Sequence, residues 1–336
     1  MSPRRLVKFI ATGQIRNEYI IDRTGKAHNA TLGGSLLYAG AALKRWGGET
    51  GLLGVISQNF PREKIEFIAQ HQLDIRGIKT IPETTNTNIF YAYPNDQDPI
   101  LNNPVAVYAA HQLPLPRELI DPPENGNSTS KISLDNHIFL EDIPSDYLGA
   151  SAAHICQLEI PYQLQLSTLL QRGAIRTMTI QLDAAGMVPE KLDEIAVLAK
   201  DATALVTREI DLRTLFQAGT GDSWELMERL CEYGSQYILV KNASNGYSLF
   251  ERERARRYRI PDYPVNKIDP TGEMDVFCGA FLAGLHETYD ALYAFSLAAV
   301  AASIKVEGTG PFFIEDSLPG LDQARVDFLR NKIIRY

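Results

Sequence analysis

Short apolar runs alternate with longer amphipathic segments along most of the 336-residue chain, and this alternation limits its possible folds more than any other feature. It is typical of repeated strand-helix-strand units, which build a mainly parallel sheet with helices on both faces. Predicted strands cover residues 6–11, 50–56, 154–158, 178–182, 204–206 and 237–240. Predicted helices cover residues 35–46, 62–71, 161–172, 190–200 and 223–233, the last with Asp222 as its N-cap. The pattern therefore predicts an α/β fold around a doubly wound sheet.

Some stretches fall outside this alternation and predict a second, smaller layer. Residues 14–32 are polar with strand-like patches, and residues 87–93 (TNIFYAY) and 105–109 (VAVYA) are interpreted as a pair of β segments. We interpret them as a small β-sheet lid, formed by residues 14–32 and 86–110 and inserted into a single domain over residues 1–336. The TNIFYAY segment is apolar enough to pair with a second chain, which predicts a homodimer through the lid, or to cover a ligand within one chain.

Composition narrows the classes of function. The formal net charge of -8 opposes a nucleic-acid partner, because affinity for a polyanion depends mostly on Lys and Arg. Cys156, Cys231 and Cys278 lie far apart in apolar segments, which opposes disulfides and a protein-bound metal and favours a reducing cytoplasm. No run approaches the roughly 18 apolar residues that a membrane span needs. A cytoplasmic protein that acts on a small molecule is the prediction, and the Pro- and Asn-rich residues 121–137 predict a surface loop.

The segment IDPTGEMDVFCGAFLAGL, residues 268–285, places a glycine-containing turn directly before an apolar helix. A helix N-terminus offers unpaired N–H groups and a partial positive charge, so it binds anions when the chain can approach them closely. Thr271 and Gly272 supply that turn, and Asp275 falls in the first turn of the helix, where its carboxylate can face the bound group. The alternative interpretation is an aspartate that only caps the helix.

This segment resembles the C-terminal signature of the ribokinase-like (PfkB-type) carbohydrate and nucleoside kinases, whose usual form is D-T-T-G-A-G-D before a small-residue helix. Leu32-Gly33-Gly34-Ser35, which leads into another helix, resembles the paired glycines of the same family. The resemblance covers essentially the whole chain and implies a ribokinase-like three-layer sandwich, with a ligand site at the carboxyl ends of the strands beneath the lid. It also implies ATP and Mg²⁺ as cofactors and, in some members, a monovalent cation beside the loop that residues 303–311 form here.

The resemblance implies roles for individual residues as well. Asp275 is implied as the general base, and the amides of Gly272, Glu273 and Met274 as the anion hole. The implied contacts to the acceptor are Gly33, Gly34 and Glu18. The implied contacts to the nucleotide are Lys241, Asn242, Gly246 and Thr271. None of them is implied as a metal ligand.

Four departures from the family pattern bear on function. Glu273 and Met274 stand in the anion-hole turn, where a left-handed backbone at Met274 would cost about 1 to 2 kcal/mol. The segment Arg208-Glu209-Ile210-Asp211 is the best match to the N-x-x-E motif of the family, which helps to organise magnesium. Glu18 replaces a shorter acid, and Tyr38 stands where relatives often carry asparagine, as a stacking surface or as part of the core.

Two hypotheses for function remain. The first is an ATP-dependent kinase that phosphorylates a hydroxyl of a sugar, an inositol-like polyol or a related small molecule, with a nucleoside as the second acceptor class. The second is a ligand-binding protein with the kinase fold and impaired catalysis. The departures at Glu273 and Met274 favour the second hypothesis, whereas the retained Gly272 and Asp275 favour the first.

Overall fold

A computed structural model describes residues 6–82, 87–94, 99–120 and 137–336. The predicted loop at residues 121–137 lies outside these residues apart from His137, as do residue 86 and residues 95–98 of the predicted lid. The strands, in chain order, are β1 (Phe9–Thr12), β2 (Arg16–Ile21), β3 (Ala27–Gly33), β4 (Thr50–Ser57), β5 (Asp74–Ile81), β6 (Asn88–Ala92), β7 (Ala152–Ile155), β8 (Thr177–Gln181), β9 (Ala204–Arg208), β10 (Tyr237–Lys241), β11 (Tyr247–Glu251), β12 (Arg256–Ile260) and β13 (Ile334–Arg335). The α-helices are α1 (Ser35–Trp46), α2 (Arg62–Gln70), α3 (Pro104–Ala110), α4 (Ile160–Leu170), α5 (Leu192–Asp201), α6 (Glu209–Leu215), α7 (Ser223–Glu232), α8 (Glu273–Thr288), α9 (Ala291–Lys305) and α10 (Leu321–Arg330).

The main sheet has the strand order β13-β12-β11-β10-β9-β8-β7-β1-β4-β5. The strands from β10 to β5 in this order pair in parallel, and β11, β12 and β13 form an antiparallel edge. The first strand, β1, lies between β4 and β7, so the chain builds the sheet outward from β1 in both directions. Ligands of open α/β sheets bind at such a switch point, outside the carboxyl ends of the strands.

Helices cover both faces of the sheet because successive side chains of a strand point to opposite faces. Phe9 and Ala11 pack in the same core cluster as residues of α1, α8 and α9, whereas Ile10 packs in the cluster that includes residues of α4, α5 and α7. The approach of α8 to α1 is close: a Cβ added to Gly279 would lie 2.5 Å from the carbonyl oxygen of Ala39. This close packing sets the position of the N-terminus of α8 relative to the turn that precedes α1.

A separate three-stranded sheet has the order β3-β2-β6, with β2 antiparallel to β3 and parallel to β6. Residues 105–109, predicted as a strand, instead lie within helix α3, and this prediction was wrong. Pro104 takes the first helical position, and the side chain of Asn103 accepts a hydrogen bond from the amide of Ala106, so two local start signals outweigh the β-branched residues. Tyr108 of α3 is buried against this sheet and donates from its hydroxyl to Asn29 at 2.7 Å.

The six predicted strands of the main sheet and the five predicted helices are all present, with boundaries shifted by at most a few residues. Asp222 caps α7 as predicted, since its side chain accepts from the amide of Trp224 at 3.0 Å. Strand β5 and helices α6 and α10 were not predicted. Across the described residues, no helix is long and apolar enough to cross a membrane.

Candidate active site

The turn before α8 carries glycine where the backbone is left-handed. Gly272 has a φ of 76°, and a Cβ at this position would lie 2.3 Å from the ring of Tyr38. Met274 lies inside α8 and is not among the described residues with positive φ. The strain considered for Met274 therefore does not arise, because the left-handed position is still occupied by the residue that adopts this conformation at no steric cost.

Backbone amides and a carboxylate meet at the N-terminus of α8. The amide of Glu273 donates to the carbonyl oxygen of Pro270 at 3.0 Å, and the amides of Gly272 and Met274 lie at the start of the helix, where N–H groups have no intrahelical partner. Asp275 follows in the first turn and is half-buried, and burial raises the pKa of its carboxyl to about 7. A carboxyl with this pKa can accept a proton near neutral pH, as a general base must.

Glu273 does not point an uncompensated charge at this site. Its Oε1 accepts from Lys241 Nζ at 2.6 Å and from the Tyr247 hydroxyl at 3.1 Å, and Lys267 Nζ lies 3.9 Å away. Lys241 lies 32 positions before Glu273 in the sequence. Their contact means that Lys241 neutralises the charge that Glu273 introduces into the turn.

The paired glycines close around a buried carboxylate. Glu18 is 1% exposed; its Oε1 accepts from the amide of Gly34 at 2.8 Å and its Oε2 from the hydroxyl of Tyr38 at 2.7 Å. A Cβ at Gly33 would lie 2.1 Å from Oε2 of Glu18, and Gly34 has a φ of 96°. Burial raises the pKa of Glu18 to about 7, although both hydrogen bonds act in the opposite direction. Glu18 thus holds the turn between β3 and α1, and any contact of it with an acceptor remains a prediction.

Two tyrosines connect the separate motifs. Tyr38, 1% exposed, bonds to Glu18 through its hydroxyl and packs its ring against Gly272, so it joins the paired glycines to the signature turn. Tyr93, which follows β6, has its hydroxyl 3.0 Å from Oγ1 of Thr271. The residue that directly follows β6 of the three-stranded sheet therefore contacts the turn, and Tyr38 is part of the core rather than an exposed stacking surface.

Three of the four residues predicted to contact the nucleotide, Lys241, Asn242 and Gly246, lie at the end of β10 or in the turn between β10 and β11, whereas the fourth, Thr271, lies in the signature turn before α8. Gly246 has a φ of 71°, and a Cβ there would lie 2.0 Å from the carbonyl oxygen of Ile260. The amide of Asn242 donates to the carbonyl of Gly246 at 3.0 Å, and its Oδ1 accepts from Ser248 at 2.8 Å. Lys241 ends β10 and faces Glu273, so this turn lies beside the N-terminus of α8.

The segment that replaces the N-x-x-E motif is occupied by its own contacts. Arg208 forms two hydrogen bonds with Asp211, at 2.7 and 2.9 Å, while Glu209 pairs with Arg213 and accepts from the amide of Ala243. A different carboxylate lies at this edge of the sheet: burial raises the pKa of Asp183, just beyond β8, and the nearby negative charges of Glu159 and Asp211 add to that effect. A cation there would relieve this repulsion.

No group of three or more metal-ligating side chains occurs within the part of the chain that the structure describes. A single carboxylate such as Asp183 suits Mg²⁺ that arrives with phosphates, because Mg²⁺ usually keeps several waters and takes only one or two carboxylates from the protein.

Sequence reasoning missed one charged residue next to this site. Lys305, the last residue of α9, is 0% exposed and lies behind the signature turn, against Asp269. The available signal was a lysine at the end of an otherwise almost entirely apolar helix, residues 291–305.

Comparisons with known proteins agree with this geometry. A family model described as pfkB family carbohydrate kinase matches residues 24–316. A 5-dehydro-2-deoxygluconokinase from Clostridium perfringens is 21% identical over 296 residues, which cover 83% of this chain and 79% of that protein. A cytidine kinase from Thermococcus kodakarensis is 22% identical over 245 residues, which cover 71% of this chain and 74% of the other.

Solved structures show the same fold. A candidate ribokinase II from E. coli in complex with ATP and Mg²⁺ superposes with a TM-score of 0.68 at 18% identity and covers 96% of this chain and 100% of its own. A fructokinase double mutant from Vibrio cholerae O395, bound to fructose, ADP and potassium ion, has a TM-score of 0.69 at 16% identity and covers 96% and 98%. The predicted ribokinase-like sandwich with a small separate sheet is thereby confirmed.

Proposed function

Because the chain belongs to the pfkB family of carbohydrate kinases, and is therefore a phosphotransferase acting on a small-molecule alcohol, we propose that its donor is Mg-ATP and its acceptor a sugar, an inositol-like polyol or a related small molecule. The observation that carries this proposal is the Asp275 carboxyl, with a pKa of about 7, at the amide-bearing N-terminus of α8. Transfer of a phosphoryl group to an alcohol requires a base and an anion site next to each other.

Asp275 accepts the proton of the acceptor hydroxyl as that oxygen attacks the γ-phosphorus, and the bond from this phosphorus to the β–γ bridging oxygen breaks. The amides of Gly272 and Met274, together with the positive end of the α8 dipole, stabilise negative charge on the phosphoryl oxygens in transit. Bound Mg²⁺ would neutralise further phosphate charge, and Asp183 is the carboxylate that would hold it. Lys241 keeps Glu273 from repelling the phosphates.

We also propose that the three-stranded sheet is a lid that covers the acceptor site and belongs to the same single domain. Arg16 of β2 is 9% exposed, and its guanidinium donates to Oε1 of Gln14 through Nε at 3.1 Å and through Nη2. A guanidinium in this place suits an acceptor that carries a carboxylate, and one relative is named for a gluconate derivative. A sugar acid therefore belongs in the acceptor panel beside neutral sugars and inositols.

A nucleoside is the second acceptor class. The rings of Tyr91 and Tyr93 stack at 6.4 Å between centroids with an interplanar angle of 11°, and Tyr91 is only half-buried, so it offers an aromatic face to a base. The cytidine kinase relative favours the same class.

A homodimer through β6, an edge strand of the lid, is a separate part of the proposal that light scattering of the purified protein tests.

The test is ADP release from Mg-ATP against a panel of sugars, sugar acids, inositols and nucleosides. Asp275→Asn removes the base, and Asp327→Asn, at an exposed position of α10, is the matched control. Acceptor-dependent release that is lost only in Asp275→Asn supports the proposal and identifies the acceptor class. Nucleotide binding by calorimetry without turnover on any acceptor would favour the ligand-binding alternative, and absence of nucleotide binding would contradict the kinase assignment of this site.

A further inference from the structure

A lysine ammonium lies in an oxygen-lined, buried position directly behind the signature turn. Lys305 Nζ donates to the carbonyl oxygens of Gly308 at 2.9 Å and Asp269 at 3.1 Å, and it lies 3.6 Å from Oδ2 of Asp269. Both side chains are 0% exposed. The ring of Tyr38 covers the same ammonium, with its centroid 5.4 Å away. Water is excluded from this ion pair, so the surrounding oxygens replace the hydration of the charge.

The carboxylate in this cluster needs a positive partner. Oδ1 of Asp269 accepts from the amide of Thr271 at 2.9 Å, whereas Oδ2 accepts no hydrogen bond among the described residues. A buried carboxylate without a compensating charge is strongly unfavourable, and Lys305 is the cation within reach of this oxygen. Burial lowers the pKa of Lys305, and the charges of Asp269 and Glu18 oppose that shift.

Two carbonyl oxygens and a carboxylate oxygen around one positive charge also form the donor set that a monovalent metal ion takes in proteins, where such oxygens replace its water shell. The family resemblance places a monovalent cation in some members beside the loop formed here by residues 303–311, and Gly308 lies in that loop. A metal ion does not fit among these oxygens, because Nζ already lies within hydrogen-bonding distance of two of them and carries the same charge.

We propose that the ammonium of Lys305 is a built-in monovalent cation, which supports the signature turn through Asp269 and makes the protein independent of added sodium or potassium. The link to the anion site is short: Lys305 contacts Asp269, Asp269 holds the amide of Thr271, and Gly272 follows in the chain. Lys305 is thus a positioning residue and does not touch the reacting atoms. The expected effect on turnover rests on the proposed kinase function. The proposal that the Lys305 ammonium occupies the cation position does not depend on it.

The experiment compares potassium, sodium, ammonium and tetramethylammonium chlorides at equal ionic strength, with two readouts. The first is the melting temperature of the ligand-free protein, which needs neither nucleotide nor acceptor, and the second is acceptor-dependent ADP release. Wild type and the exposed control Lys332→Ala should respond equally to all four salts. Lys305→Ala should lose turnover and melt at lower temperature in tetramethylammonium, and should recover both in potassium or ammonium, because these ions fit the vacated oxygens.

A potassium stimulation of wild-type turnover of at least about fivefold over tetramethylammonium, the lower end of a typical coupling between two sites, would overturn the proposal. So would a potassium-specific rise in the wild-type melting temperature, or a folded Lys305→Ala whose melting temperature is the same in all four salts. If Lys305→Ala does not fold, the wild-type comparison decides. If no acceptor is turned over, the kinase proposal fails, while the melting temperatures still test the built-in cation.

Discussion

Replacing Lys241 with methionine should weaken the binding of Mg-ATP, because the carboxylate of Glu273 would lose its closest positive partner beside the anion site. Lys241 Nζ lies 2.6 Å from Oε1 of Glu273, and the two side chains are 18% and 15% exposed, so solvent screens this pair only partly. Lys267 would remain 3.9 Å from the same oxygen, where it cannot replace the lost hydrogen bond, and it already pairs with Asp262. Methionine keeps most of the apolar stem of the lysine, so the change is mainly one of charge.

The size of the effect follows from Coulomb's law. At a separation of ~8 Å from one phosphate charge and an effective dielectric constant of ~20, an unmasked carboxylate repels by roughly 2 kcal/mol. Since about 1.4 kcal/mol corresponds to a tenfold change in Kd, the Kd for Mg-ATP should rise between about tenfold and thirtyfold. Residual neutralisation by Lys267 favours the lower part of this range.

A double-mutant cycle separates charge neutralisation from direct phosphate binding by Lys241. Calorimetric titrations with Mg-ATP would compare wild type, Lys241→Met, Glu273→Gln and the double variant, with Lys332→Met as the exposed control. The double variant should bind nearly as well as wild type, because both charges of the pair are removed together. If it binds as weakly as Lys241→Met, the lysine contacts the phosphates itself and the argument from neutralisation is wrong.

Three further predictions concern the carboxyls of Asp275 and Glu18 and the paired glycines. Turnover should fall as pH drops through about 7, because protonated Asp275 cannot accept a proton. Asp275→Asn should lose ~10²- to 10⁴-fold in kcat. A flat wild-type profile of turnover from pH 6 to 8 would contradict the role of Asp275 as the base. Glu18, whose pKa rises from 4.5 to about 7 on folding, binds more protons in the folded state, so its contribution to the free energy of unfolding should shrink as pH rises across that interval. Denaturant titrations of Glu18→Gln should lose this component of the slope, and an unchanged slope would contradict it. Gly33→Ala should destabilise by about 1 to 3 kcal/mol, because its Cβ would overlap Glu18, whereas Gly149→Ala, where a Cβ meets nothing within 4 Å, should be nearly neutral in the same titrations.

Much of the fold could be read from local patterns. The helix at residues 35–46 was predicted with the observed bounds, because its continuous apolar run is too long for a typical strand and glycines flank the segment on both sides. The strand prediction for residues 105–109 was wrong because a run of five residues with alternating valines fits either period. Asn103, which caps the helix, precedes the segment, and Asn29, which bonds to Tyr108, lies 79 positions away in the sequence. Strand β5 carries few apolar residues and owes its place to pairing with β4.

The candidate site likewise has residues that the sequence indicates and contacts that it does not. Gly272, Gly34 and Asp275 were recognisable from the sequence, because left-handed glycines and a helix N-terminus are local backbone properties that a short motif encodes. The partners of two lysines were not recognisable: Glu273 for Lys241, and Asp269 for Lys305. These contacts join residues more than thirty positions apart in the sequence, and the packing of α1, α8 and α9 on the sheet brings them within bonding distance. The sequence around a charged residue does not indicate its partner, because the fold brings the two charges together. Folding also removes water from each pair, and a buried charge without its partner would then be strongly unfavourable.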